Sequence, residues 1–254
     1  MHPVLFKIGS ISIYSWGFML ALAVLVSIYG VGKLFEREGY DKEKVIDLVL
    51  VLVVAGVIGS RLAYILVYEW ATFITNPLSF FSLGTGGIAG LIWYGGLVGG
   101  AIPFFIYIYK NDWSFWRVAD MLAPYIALGY ALVRIGCFLN GCCYGDITNS
   151  VCGVVFPYVD AFARHPTQLY SSLINVVLFG FLIWFYPRRR FAGQVFIYYL
   201  IGYSVYRFII EFFRESLIMY GPITLGQVYT LILLVIGIIL YFWRKSDSQK
   251  YLWR

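Results

Sequence analysis

Long apolar runs, broken by short clusters of charged and turn-forming residues, dominate the pattern along the chain. Seven runs hold about 20 apolar residues each, the length that crosses a hydrocarbon core of about 30 Å at 1.5 Å per helical residue. They cover residues 11–33, 45–68, 88–108, 117–138, 168–187, 194–213 and 224–243. Backbone polar groups find no water in lipid, and the runs are too long and too unalternating for barrel strands, so helices are predicted. The expected fold is an all-α integral membrane bundle of about seven transmembrane helices. No basic patch and small-residue cleavage site flank a short apolar run at the start, so the first helix is read as retained. No repeat or linker divides the chain, which reads as one transmembrane helical domain over residues 1–254.

Composition agrees with this pattern. Hydrophobic residues make up 61% of the 254 and charged residues 13%, against about one half and one quarter in soluble domains. The cations sort by side. If seven helices alternate, Lys33, Arg37, Lys42, Lys44, Lys110, Arg117, Arg188, Arg189, Arg190, Arg244, Lys245, Lys250 and Arg254 share one face of the membrane. The other face holds Lys7, Arg164 and Arg214. Lys and Arg accumulate in the cytoplasm, so the N-terminus is expected outside and the C-terminus inside. The net charge of +6 then follows from topology and attraction to anionic lipid headgroups, and gives no reason to expect nucleic-acid binding.

Arg61, Arg134 and Arg207 escape that sorting and fall inside predicted helices. A charge at the bilayer centre costs about 2.5–3.5 kcal/mol on insertion scales. Counted from the outer helix ends, all three lie roughly 6–10 Å below the outer surface. A guanidinium offers phosphate oxygens a planar fork and never deprotonates, so the three predict a phospholipid-headgroup site entered from the outer leaflet. The bland alternative is snorkelling to the headgroup layer. Tyr203, Arg207, Glu211 and Arg214 share one helix face at spacings of four, four and three. Glu211 can pair with either arginine there, in a functional or a purely structural stripe.

Just beyond Arg134 the chain reads Ile-Gly-Cys-Phe-Leu-Asn-Gly-Cys-Cys-Tyr-Gly, ending at Gly145. Gly136, Gly141 and Gly145 permit tight turns and close approach, and Asn140-Gly141 is a turn signal. Backbone N–H groups of such a loop can hold an anion. Cys137, Cys142, Cys143 and Cys152 fall on the expected outer side, where a Cys142–Cys152 or Cys143–Cys152 disulfide is possible. Inert packing, a local loop role and direct chemistry are the alternatives. Their spacing matches no zinc pattern with ligand pairs at both ends. His165, in Arg164-His165-Pro166-Thr167-Gln168-Leu169-Tyr170, precedes a helix start marked by Pro166 and Thr167, and an interfacial or capping role is its simplest reading.

At these segments the sequence resembles the prolipoprotein diacylglyceryl transferase family. The resemblance runs over nearly the whole chain: His2 to Gly9, Ile13 to Gly17, Gly59 to Tyr64, Gly95-Gly96-Leu97, Arg134 to Gly145, Arg164 to Tyr170, Tyr203 to Glu215, and Gly226-Gln227. It implies transfer of the diacylglyceryl group from phosphatidylglycerol to the lipobox cysteine of a prolipoprotein signal peptide, forming a thioether and releasing glycerol phosphate. It implies no metal or dissociable cofactor, and a place among the lipids of a bacterial cytoplasmic membrane, with the site facing the outer leaflet. Arg134 and Arg207 match the family's essential arginines, and Tyr203, Asn140, Gly145 and Glu211 match family positions. Arg134, Arg207, Tyr203 and Glu211 are therefore expected as catalytic residues, and Arg61, Asn140, Gly141, Gly145, Cys137, His165, Trp16 and Arg214 as substrate-binding residues.

The chain departs from the family pattern at the proton-handling positions. Tyr94 stands where a histidine usually precedes the Gly-Gly pair, and is the replacement candidate for moving a proton. Tyrosine is a poor base, with an unperturbed pKa of about 10, which a nearby arginine would lower. Trp16 replaces a tyrosine, Cys137 an asparagine, Cys142 an acidic residue and Ser171 another. These changes leave open a lipid-group transferase with a different acceptor, a non-enzymatic phospholipid-binding membrane protein, and a thiol–disulfide protein.

Overall fold

In the computed structural model the described residues are all except 10, 78–79, 81–82, 85–86, 89–91, 215–218, 221–222 and 253–254, with the side chains of 8, 11, 83–84, 87–88, 93–94, 219–220 and 248–252 also set aside. The helices are α1 (Ser15–Arg37), α2 (Glu43–Tyr64), a short α3 (Trp70–Thr75), α4 (Trp93–Lys110), α5 (Phe115–Asn140), α6 (Thr167–Phe185), α7 (Gln194–Glu211) and α8 (Leu225–Leu252). A π-helical turn, Ile65–Glu69, joins α2 to α3. A 3-10 turn, Tyr186–Arg188, follows α6, and four two-stranded antiparallel pairs complete the described elements: β1–β2 (Val4–Ile8, Ile11–Tyr14), β3–β4 (Leu83–Gly84, Gly87–Ile88), β5–β6 (Val154–Val155, Ala163–Arg164) and β7–β8 (Met219–Tyr220, Ile223–Thr224).

Five helical segments are long and apolar enough to cross a membrane: Ser15–Arg37, Glu43–Thr75, Phe115–Asn140, Thr167–Arg188 and Leu225–Asp247. Gly95–Lys110 is apolar but shorter. The burial pattern is that of a protein solvated by lipid. Leu25, Val177 and Ile239 are at least 60% exposed, whereas Gln168 and Asn175 are fully buried. The core is still mainly apolar, but so many large apolar side chains outside it exceed what a surface in water carries.

Two predicted boundaries fail for identifiable reasons. The first helix, expected from residue 11, starts at Ser15, because Ile11-Ser-Ile-Tyr14 is a strand paired with β1. Alternating residues after the tight turn at Gly9 (φ +59°) suit a hairpin better than a helical turn. Ser15 is buried, and its N–H donates to Pro3 O at 2.9 Å while its hydroxyl donates to His2 O. The third helix, expected from residue 88, starts at Trp93, because Gly87–Ile88 belongs to β4.

The chain forms two compact units, one of Met1–Ser27 with Trp116–Arg254 and one of Ile28–Phe115. In the second, α2 and α4 cross on glycine. A Cβ added to Gly59 would strike Gly95 O and Gly99 Cα, and one added to Gly99 would strike Ala55 O. Small residues let membrane helices approach backbone to backbone. The same unit holds Arg61, which is buried and occupied: it pairs with Glu69 at 3.1 Å, its Nε donates to Phe80 O at 3.2 Å, and it lies 5.5 Å from the Tyr64 ring centre.

In the first unit a buried carboxylate sets the start of α7. Asp120, on α5, accepts hydrogen bonds from Gly193 N at 2.8 Å and Phe196 N at 2.9 Å. The residue before α7 is Gly193, which has no side chain to cap the helix and takes φ +97°. Asp120 therefore supplies from another helix the acceptor that the first turn lacks, and its negative charge faces the positive end of the helix dipole. Arg189 lies 3.6 Å from the same carboxylate. At the other end, α8 begins with a capping box. Thr224 N donates to Gln227 Oε1 at 2.9 Å, and Gln227 N donates to Thr224 Oγ1 at 3.1 Å.

Candidate active site

The C-terminus of α5 is where the glycine and cysteine segment acquires its shape. Helix α5 ends at Asn140, and Gly141 follows with φ +78°. Gly141 N donates to Phe138 O at 3.1 Å, and Cys142 N donates to Cys137 O at 3.1 Å. That pair of bonds is a Schellman turn, which satisfies the last carbonyls and needs a left-handed residue best supplied by glycine. Cys143 is also left-handed, at φ +65°, a conformation that costs a non-glycine residue of order 1–3 kcal/mol. The turned-out peptides are caught by the start of α6. Buried Thr167 donates to Cys143 O at 2.9 Å, and buried Gln168 donates to Cys142 O at 2.7 Å.

Gly145 closes the loop. Its N–H donates to His165 O at 2.9 Å, and an added Cβ would collide with Phe213 O, Thr167 and His165. Asp146 N donates to Phe213 O at 3.0 Å, so this glycine loop is stitched to the chain just after α7. His165 faces the Tyr170 hydroxyl at 3.3 Å and packs edge-on against Phe213 at 5.1 Å. Arg164 pairs with Asp160 at 2.6 Å, which holds that carboxyl below its usual range, and spans the Tyr144 ring at 5.1 Å.

Around this loop the structure gathers three of the predicted arginines. Arg134 donates to the Tyr130 hydroxyl and lies 4.7 Å from the centre of that ring. Tyr130 meets Tyr203 edge-on at 6.2 Å, which ties Arg134 to α7. Arg207 pairs with Glu211 one turn along α7. Glu211 is buried, accepts from Thr224 Oγ1 at 3.3 Å, and sits where a Cβ on Gly226 would be, against the first turn of α8. Arg214 follows α7 and feels both other arginines: burial first, then Arg207 and Arg134, pull its pKa below the usual guanidinium range. Glu211 acts on both Arg207 and Arg214, and among the described residues neither Arg134 nor Arg214 makes a salt bridge.

The thiols lie against the same cations. Sγ atoms of Cys137, Cys142 and Cys143 all fall within 4.8 Å of one another. The Cys143 thiol is held below the ordinary thiol range, by hydrogen bonds with Cys137 and then Cys142, with Arg134 and Arg214 adding to the effect. All four cysteines are free thiols, so neither possible disulfide to Cys152 is present.

Trp16 is half-buried in the first turn of α1, and its Cα limits Gly136 on α5 to glycine, because a Cβ there would come within 3.1 Å. Asn140 is the last residue of α5. Arg61 lies in the other unit with the partners described above. Tyr94 is in the first turn of α4, and its side chain lies outside the described residues. Thr167, expected only as a helix start, and Gln168 and Thr224, to which the sequence gives no role of their own, have buried polar side chains. The cysteine spacing matches no zinc pattern with ligand pairs at both ends, and the Cys-x4-Cys-Cys interval converges only once the Schellman turn is made.

Comparison with known proteins matches this arrangement to one family. The family model for prolipoprotein diacylglyceryl transferase matches residues 3–243. A phosphatidylglycerol–prolipoprotein diacylglyceryl transferase of Clostridium tetani is 35% identical over 246 residues, covering 95% of this chain and 97% of its own length. One of Clostridium perfringens, the second of that name, is 34% identical with 98% of each chain covered. One of Vibrio cholerae is 36% identical, covering 96% of this chain and 91% of its own. An arginine cluster wrapped by a glycine loop inside an apolar helical protein, matched from end to end by these relatives, leads to one conclusion: the chain belongs to the prolipoprotein diacylglyceryl transferase family.

Proposed function

We propose that this chain moves the diacylglyceryl group of phosphatidylglycerol onto the cysteine of a prolipoprotein signal peptide, making a thioether and releasing glycerol phosphate. The observation that carries this reading is the convergence of Arg134, Arg207 and Arg214, with Glu211 acting on the last two. A site with that surplus of positive charge favours a phosphate. During transfer a carbon–oxygen bond of the glyceryl unit breaks and charge grows on the departing phosphate. Fixed guanidinium groups stabilise that charge without reorganising. Glu211 orients Arg207, and Tyr130 orients Arg134.

The rest of the reading follows from the chain's charge pattern. Seven helices would cross a bacterial cytoplasmic membrane, with shorter α4 and charged α7 among them and the N-terminus outside. The arginine cluster then faces the outer leaflet, where lipid and secreted peptide meet. Membrane lipids hold the donor in place, so that only its headgroup and the acceptor thiol need positioning.

The test is a mass measurement on a lipobox peptide incubated with the purified protein and phosphatidylglycerol vesicles. A diacylglyceryl-sized gain on the peptide cysteine is expected. Glycerol phosphate released with no gain on the peptide would point to a different acceptor, and no release at all would refute the transferase reading.

A further inference from the structure

We propose that Cys137, Cys142 and Cys143 form a three-thiolate site for a thiophilic divalent cation, zinc foremost, whose open fourth position takes the acceptor cysteine. This rests on the transferase reading above and supplies the step that the arginines do not. An attacking thiol must lose its proton. Glu211 is engaged by Arg207 and Thr224, and His165 by Tyr170. A thiol bound to a divalent cation is deprotonated outright.

The geometry suits the ion. Zinc–thiolate bonds of about 2.3 Å in a tetrahedron set sulfurs about 3.8 Å apart. Cys142 and Cys143 Sγ lie 3.7 Å apart, and all three sulfurs lie within 4.8 Å of one another. Consecutive side chains ordinarily point apart. Here the left-handed backbone at Cys143, with both carbonyls drawn toward Thr167 and Gln168, brings the two thiols together. The site is closed on one side and open on the other, since Cys137 is buried, Cys142 half-buried and Cys143 exposed. Three protein ligands with an open position mark zinc sites that do chemistry, whereas structural sites carry four. Three thiolates around a divalent ion leave one negative charge, and Arg134 and Arg214 stand beside Cys143 to balance it.

The step balances without electron transfer. The peptide thiol binds the cation and gives its proton to water at the exposed edge. Its sulfur attacks the glyceryl carbon that carries the phosphate oxygen. The carbon–sulfur bond forms as the carbon–oxygen bond breaks, and the electron pair leaves with glycerol phosphate beside the arginines. The product thioether is a weak ligand and departs.

Full-length protein, purified in detergent with reductant and without chelator, would be assayed for metal by mass spectrometry. About one zinc per chain is expected, lost in Cys142→Ser and in Cys143→Ser while thermal melting shows both variants folded. Should either variant fail to fold, the stripped wild-type protein reloaded with cobalt(II) carries the test. A sulfur-to-cobalt charge-transfer band should appear and should change with a lipobox peptide, but not with the same peptide bearing serine for cysteine. No zinc and no saturable cobalt binding would overturn the proposal, as would a Cys142–Cys143 disulfide trapped in intact membranes. Transfer that survives chelation and Cys142→Ser would sink the metal site and leave the transferase reading standing. A responsive cobalt site with no transfer would do the reverse.

Discussion

At the scale of single residues, the site depends on positions where one atom more or less matters. Gly145 is enclosed by Phe213 O, Thr167 and His165. Gly145→Ala should destabilise the folded protein by about 1–3 kcal/mol, the usual cost of overpacking, seen as a lower melting temperature in detergent and reduced transfer. Glu211 shows a different dependence. Replaced by Gln, it keeps its shape against Gly226 and can still accept from Thr224, but it no longer neutralises Arg207. Glu211→Gln should slow transfer more than it lowers melting, checked by measuring both on one preparation. The charged members of the site were legible in the sequence, because Arg134, Arg207 and Glu211 stand out in apolar runs and the last two share a helix face. The thiol cluster was not, since it exists only through the left-handed turns at Gly141 and Cys143. Arg61, expected as a third headgroup ligand, meets Glu69, Phe80 and Tyr64 within its own unit.

At the scale of elements, helix ends do more than helix middles. The C-terminus of α5, the N-terminus of α6, the C-terminus of α7 and the N-terminus of α8 each contribute backbone or side-chain bonds to the site. Hydropathy finds such helices but not their ends, which explains why residues 11–14 were read as helix and proved to be a strand. The partner that starts α7 was equally hidden, for Asp120 lies 73 residues before Gly193. Asp120→Ala would leave two N–H groups of that turn without their acceptor, at about 1–3 kcal/mol for an unsatisfied buried group. The melting temperature should fall accordingly, and Asp120→Asn, which keeps one acceptor oxygen, should recover part of the loss.

At the scale of the whole molecule, many large apolar side chains are exposed, and glutamine, asparagine and serine are buried within an otherwise apolar core, as suits a protein solvated by lipid. Thirteen cations on one set of loops predict a cytoplasmic C-terminus. A fluorescent protein fused there should fold and glow, and an alkaline phosphatase fused there should stay inactive; the opposite pair of results would invert the topology. The claim on which the rest depends is that the arginine cluster carries the departing phosphate. It is tested most directly by the single-turnover rate at which glycerol phosphate leaves phosphatidylglycerol in the presence of a lipobox peptide. Arg134→Ala should slow that release by about 10²–10³-fold with melting unchanged, and release at the wild-type rate from a folded Arg134→Ala protein would contradict the account.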